Sequence, residues 1–164
     1  MGIKKSIILI KEYMTYSKFT ANSQRWEVLN RRGYPNIQQS IIGHSLRLEG
    51  KNITIGEGVF INNDVYIECQ APVIIGDNTA IGPGTRILTA THDSSNPACR
   101  AGVVTHHGVQ IGKGCWIGAN VTILPGTVIG DGAVIGAGAV VTSSLPPHSL
   151  SVGIPAKKIK DLPL

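Results

Sequence analysis

Apolar residues recur every six positions over most of this chain. From residue 111 the sequence reads IGKGCW, IGANVT, ILPGTV, IGDGAV, IGAGAV, VTSSLP. Residues 55–72 read IGEGVF, INNDVY, IECQAP; after a two-residue slip, residues 75–92 read IGDNTA, IGPGTR, ILTATH. Each hexad opens on Ile or Val, usually continues with Gly, Asn or Asp, and carries a small or β-branched residue at its fifth place. A fixed short period marks a solenoid, whose single unit cannot bury its own apolar residue. Three hexads make one turn of a triangular coil, so segments 55–72, 75–92, 111–128 and 129–146 each predict one coil. The leading Ile or Val points inward and stacks on its counterpart in the next coil. β-Branched residues suit the short flat strands, and Gly and Asn, which tolerate positive φ, fall at the corners. The predicted fold is an all-β solenoid, a parallel β-helix.

The flanks read differently. Residues 3–30 predict one or two helices, with Ile7, Ile8, Ile10, Tyr13, Met14 and Phe19 as apolar candidates and Trp26 and Leu29 on a later face. Gly33, Tyr34 and Pro35 break that pattern. The expected organisation is an N-terminal helical segment over 1–40, the β-helix over 41–152, and a short C-terminal tail over 153–164. Residues 93–110 carry no clean hexad and read as a loop extruded from the coil. Loops of that length without structure of their own usually carry function.

Composition fits a single domain with a layered aliphatic core: 42% of the 164 residues are hydrophobic but only 5% are aromatic. The formal net charge of +5 is split between an N-terminal group (Lys4, Lys5, Lys11, Lys18, Arg25, Arg31, Arg32) and a C-terminal trio (Lys157, Lys158, Lys160). With few, scattered aromatics, the chain shows no nucleic-acid-binding motif, and no nucleic-acid partner is expected. Cys69, Cys99 and Cys115 are odd in number and form no CxxC pair, which argues against a disulfide scaffold or zinc site and for a reducing cytoplasm. The apolar run Ser6–Ile10 is too short for a signal peptide and ends at Lys11 and Glu12. No apolar stretch is long enough to span a bilayer, so no stable membrane insertion is expected. Met1-Gly2 with Ser6 fits a loose myristoylation pattern, and Asn52–Thr54 and Asn120–Thr122 fit glycosylation sequons; all three read as chance matches.

The chemistry centres on His92, at the mouth of the extruded loop in the run Thr89-Ala-Thr-His92. Its neutral imidazole could remove a proton from a hydroxyl near pH 7; it could equally be a solvated or locally bonded histidine at a loop start. His106 and His107 lie within the loop, and His44 and His148 show no partner spacing. No second or third histidine sits at matching phase on a neighbouring coil, so no metal site is expected.

From about Ile53 to Lys160 the sequence resembles the hexapeptide-repeat acyltransferases. It is most similar to the maltose and galactoside O-acetyltransferase branch and the polysaccharide O-acetyltransferases. The marks are Thr89–His92, Val109–Gly118 (VQIGKGCWIG), Ile135–Thr142 (IGAGAVVT), Pro146-Pro147 and Gly153–Lys157 (GIPAK). The resemblance implies a left-handed β-helix and a homotrimer with active sites between subunits. It implies acetyl-CoA as acyl donor, no metal, and a small-molecule or glycan acceptor. His92 matches the family's general base, which activates the acceptor hydroxyl for direct attack on the thioester. Such a reaction needs a held, activated oxygen and a donor to the developing oxyanion; a backbone N–H between Trp116 and Gly118 is the expected donor. Asp64 and Asn62 match acceptor-side positions, although either could simply occupy an exposed corner. Trp116 matches a residue lining the thioester end of the pocket, with a core role as the alternative. Ala119 and Ala137 match small residues beside the pantetheine arm, Thr142 a residue near the adenine, and Lys157 and Lys160 basic positions facing the CoA phosphates.

Residues 1–40 carry no quotable motif of the family's N-terminal domain, which leaves the acceptor open. The expected activity is O-acetylation of a hydroxyl on a sugar or glycan precursor, in polysaccharide or lipopolysaccharide biosynthesis. The alternatives are N-acetylation of an amino sugar and a non-catalytic trimeric scaffold. The joint presence of His92, Trp116 and the basic tail favours an enzyme.

Overall fold

The computed structural model describes residues 21–164. The expected helices over 3–30 and the lysines at 4, 5, 11 and 18 fall largely or wholly outside the described residues. The described part of that segment holds a 3-10 turn at Asn22–Gln24 and an α-helix at Arg25–Arg31. Leu29 is buried and Trp26 packs partly against the same core.

The rest is a three-sided parallel β-helix. The described residues form a first face of four strands, a second of seven and a third of five. Strand pairings put the leading hexad residues in register, coil on coil. Ile55, Ile75, Ile111 and Ile129 stack on the first face; Ile61, Ile81, Ile117 and Ile135 on the second; Ile67, Ile87, Ile123 and Val141 on the third. All of them are essentially fully buried, each contributing about 1.5–3 kcal/mol relative to exposure. Ile37 already bridges Ile55, so stacking begins a few residues before position 41.

Two places in the hexad answer to different constraints. The fourth place turns the corner in the left-handed region, as at Asp64 (φ 60°), Gly84 (φ 70°) and Asn120 (φ 55°). The second place is glycine for another reason, close approach of the next coil. A Cβ on Gly82 would lie 2.6 Å from the carbonyl carbon of Gly118.

The coil expected over 75–92 is not completed. Ile87 and Thr89 are buried, but Thr91 and His92 are exposed. The chain leaves the coil at Thr89 because its local hydrogen bonds lead outward. The Glu68 carboxylate accepts from the amides of Thr89 (3.3 Å) and Ala90 (3.2 Å), and Thr89 Oγ1 accepts from the Ala71 amide (3.4 Å). The extruded segment also has structure of its own, contrary to the expectation of an unstructured loop. Ala90–His92 and Val104–His106 pair antiparallel, with His92 opposite Val104. The His107 amide then donates to Thr89 O (2.8 Å) and the Val109 amide to Pro72 O (3.0 Å), returning the chain to the first face.

At the C-terminal end Ser149–Val152 continues the second face, and Lys157–Asp161 folds back antiparallel on it, with Leu150 opposite Lys160 and Val152 opposite Lys157. The basic segment is thus an edge strand. Among the described residues no helix is long and apolar enough to cross a membrane.

Candidate active site

Along the second face, the residue just before each inward one (Ile61, Ile81, Ile117, Ile135 and Ser151) points outward. Phe60, Ala80, Trp116, Val134 and Leu150 therefore form one column, one rung per coil. With Asn62, Gly82, Pro83, Gly118, Ala119 and Ala137, they line a groove of about 520 Å³ that runs to the corner between the second and third faces. Trp116 is 60% exposed, so it lines the groove and takes no part in the core. Of the expected site residues, the groove gathers Asn62, Trp116, Ala119 and Ala137. Phe60 and Val134 carry no family mark in the sequence, yet both share with Trp116 the sixth place of a hexad. That phase was the signal that could have found them.

The backbone donors differ from expectation. The Trp116 amide donates to Ala133 O (2.9 Å) and the Gly118 amide to Ile135 O (2.8 Å), so both serve the ladder between coils. An oxyanion donor at either position is ruled out by that commitment. The amides of Ala119 and Ala137, beyond the strand ends, make no hydrogen bond among the described residues.

Asp64 lies just across the corner, in a second, polar depression shared with Ser45, Arg47, Tyr66, Arg86 and Asn120. The Tyr66 hydroxyl donates to Glu49 (2.6 Å). That bond and the adjacent negative charge push its pKa up to about 12.

His92 stands elsewhere. It is exposed on the extruded hairpin, at the corner between the third and first faces. Its Nδ1 lies 2.9 Å from the carbonyl oxygen of Gly102. A carbonyl can only accept, so Nδ1 is the donor in this contact, and in the neutral ring the lone pair therefore falls on Nε2. Nothing in the sequence marked Gly102 for this role. Where the loop leaves the paired strands, the Asp93 amide donates to Val103 O (2.9 Å) and the Gly102 amide to Asp93 O (3.0 Å). Asp93 also accepts from the amide and hydroxyl of Ser95, which hold its carboxyl below the usual range.

The remaining expected residues flank the groove or lie apart from it. Lys157 and Lys160 are exposed on the edge strand next to Leu150 and Val152, where the groove ends. Among the described residues neither has a carboxylate partner, whereas Lys158 pairs with Asp161 (2.5 Å). Thr142 is exposed and follows Val141 on the third face, toward the corner that carries the hairpin. One chain therefore places the groove at one corner of the triangle and His92 at another. Among the described residues no group of three His, Cys, Asp or Glu side chains is placed to hold a metal.

Comparison with known proteins agrees with this architecture. Residues 101–143 match the family described as bacterial transferase hexapeptide (six repeats). Nodulation protein L of Rhizobium meliloti is 39% identical over 138 residues, 83% of this chain and 75% of that protein. The sophorolipid acetyltransferase of Starmerella bombicola is 46% identical over 114 residues, 70% of this chain but only 44% of that longer protein. A maltose O-acetyltransferase structure from Clostridium difficile superposes with a TM-score of 0.84 at 32% identity, covering 98% of this chain and 86% of that one. A hexapeptide-repeat acetyltransferase from Vibrio cholerae, solved with acetyl-CoA, superposes with a TM-score of 0.83 at 30% identity, covering 97% and 86%. The fold is the left-handed β-helix, and the chain belongs to the hexapeptide-repeat acetyltransferases.

Proposed function

We propose that the protein is an acetyl-CoA-dependent O-acetyltransferase acting on a hydroxyl of a sugar or glycan precursor in the cytoplasm, with His92 as general base. The observation that carries this reading is the bond from His92 Nδ1 to Gly102 O. It holds the ring in the tautomer whose free Nε2 can take a hydroxyl proton.

The groove suits the donor by its chemistry. A narrow apolar channel beside Ala119 and Ala137 fits a slender pantetheine arm, and the Ala137 amide, uncommitted among the described residues, offers a hydrogen bond to it. The ammonium groups of Lys157 and Lys160, without a carboxylate partner among the described residues, lie where the channel ends and suit phosphates. Thr142 lies on the corner that carries the hairpin, so it is the second copy's Thr142 that reaches the adenine. When bound, acetyl-CoA supplies the acetyl group as a thioester, whose carbonyl carbon takes the acceptor oxygen and whose sulfur takes the displaced electron pair and a proton. His92 removes the hydroxyl proton and returns it to the leaving thiol. With the Trp116 and Gly118 amides occupied, Ala119 N–H is the amide left to meet the oxyanion. Trp116 walls the thioester end, and Asn62 and Asp64 orient the acceptor.

The groove and His92 occupy different corners, so the working site is completed by a second copy. A homotrimer with parallel coil axes, three sites and a neighbour's hairpin over each groove satisfies this geometry.

The test is release of CoA thiol from acetyl-CoA with a panel of sugars and amino sugars, for wild type and His92→Ala. Acceptor-dependent release that collapses in the variant is expected. An unchanged rate in His92→Ala removes this residue from the mechanism, and release with amines alone makes the enzyme an N-acetyltransferase.

A further inference from the structure

The outward column of the second face does not stop at the thioester end. Below Trp116 it continues through Ala80 and Phe60 to Ile41, which pairs with Phe60 on the next rung. Trp116 to Ile41 is three rungs, roughly 14 Å at the usual spacing between strands. Phe60 is 39% exposed and Ile41 48% exposed. The basic edge strand lies at the opposite end of the column, beyond Val134 and Leu150. If the phosphates lie there, the acetyl group points toward Trp116, and the stretch from Ala80 to Ile41 faces the acceptor.

That stretch has little to offer a sugar made only of hydroxyls. Among the described residues, Asn62 is the only one with a side-chain amide, hydroxyl or carboxylate along the groove. A buried hydroxyl without a partner is costly. Polar groups are instead concentrated at the corner, where Asn62 on one side meets Asp64, Ser45 and Asn120 on the other. The chain therefore presents a polar corner beside an apolar stripe, and contiguous exposed apolar surface of this kind marks a binding site.

We propose that the acceptor is an amphiphilic glycoside. Its sugar hydroxyls meet the corner at Asn62 and Asp64, and its alkyl substituent lies along Ala80, Phe60 and Ile41. This inference rests on the acetyltransferase reading above and specifies its substrate class. The transfer itself is unchanged: the sugar C–O–H loses its proton, a new acyl C–O bond forms, and the acyl C–S bond breaks to give CoA thiol.

The test compares two acceptors with the same head group, methyl glucoside and octyl glucoside below its micelle concentration. Each methylene taken from water favours binding about fourfold, so partial burial of the chain predicts kcat/KM at least ~10-fold higher for octyl glucoside. Phe60→Ser and Ile41→Ser should each pull that ratio toward one. The ratio is read within one preparation, so a loss of folded protein, which lowers both rates alike, does not imitate the effect. Equal kcat/KM for the two acceptors, or a ratio unmoved by both substitutions, overturns the inference and leaves the transferase standing. Absence of acetyl transfer to any acceptor in the sugar panel overturns the proposed function, and this inference with it.

Discussion

His92 Nδ1 and the carbonyl oxygen of Gly102 lie 2.9 Å apart, across the two arms of a hairpin that the repeat pattern does not contain. This contact decides which nitrogen of the ring can accept a proton. His92→Ala should lower kcat by about 10²–10⁴-fold while acetyl-CoA affinity stays nearly constant. Steady-state kinetics paired with calorimetry checks both. Gly102→Val should act in the same direction more weakly, because a Cβ there would lie 2.8 Å from Asp93 O and displace the carbonyl.

The stacked isoleucines make the core intolerant of charge. Ile123 is fully buried between Ile87 and Val141. Ile123→Asp puts an unpaired carboxylate there and should cost at least several kcal/mol. Loss of a cooperative melting transition is the expected result; a native Tm would mean that the inward phase has been misassigned.

Close approach between coils gives a second stability prediction. Gly82→Ala places a methyl 2.6 Å from backbone of the coil above, which cannot move alone. A loss of about 2–4 kcal/mol in denaturant unfolding is expected, well above the near-zero or favourable effect of the same change at an unstrained site.

Two groups give pH predictions of opposite sense. The Tyr66 phenol, bonded to Glu49, is raised to about 12. Its folded pKa exceeds the ordinary value of about 10, so its contribution is fully present below that value and is lost as pH rises toward 12. Absorbance titration should show one late-ionising tyrosine that returns toward normal in Glu49→Gln. Asp77 is lowered by its hydrogen bond to Lys113 (2.8 Å) and by the Glu57 amide. Its contribution is present above the ordinary carboxylate pKa of about 4 and is lost as pH falls through the lower folded value. Asp77→Asn should therefore flatten the acid limb of a stability–pH curve.

Lys157 and Lys160 flank the end of the groove without carboxylate partners among the described residues. Replacing both with Ala should weaken acetyl-CoA binding about 10-fold and reduce its salt dependence, with kcat little changed at saturation. Titration at two ionic strengths measures both effects.

Much of the fold was legible because each coil repeats one local rule. Ile55, Ile61 and Ile67 are spaced by six, and stacking turns that spacing directly into burial. Trp116, Ala119 and Ala137 could be placed on one groove because the resemblance and the repeat both act on adjacent coils. The hairpin was not legible. ILTATH reads as a sixth hexad, yet bonds from Glu68 and Ala71, about 20 residues earlier, draw the chain out at Thr89. The oxyanion donor was misplaced for a similar reason, since only the next coil shows which amides are already taken.

The sequence by itself determined the coil and its inward residues, because a solenoid core depends on contacts that recur at one fixed spacing. Only the tertiary structure decided which nitrogen of His92 meets the Gly102 carbonyl, which amides remain uncommitted among the described residues, and that groove and His92 stand at different corners of the triangle. Those outcomes depend on contacts between residues remote in sequence, on the direction each side chain takes from its corner, and on no period at all.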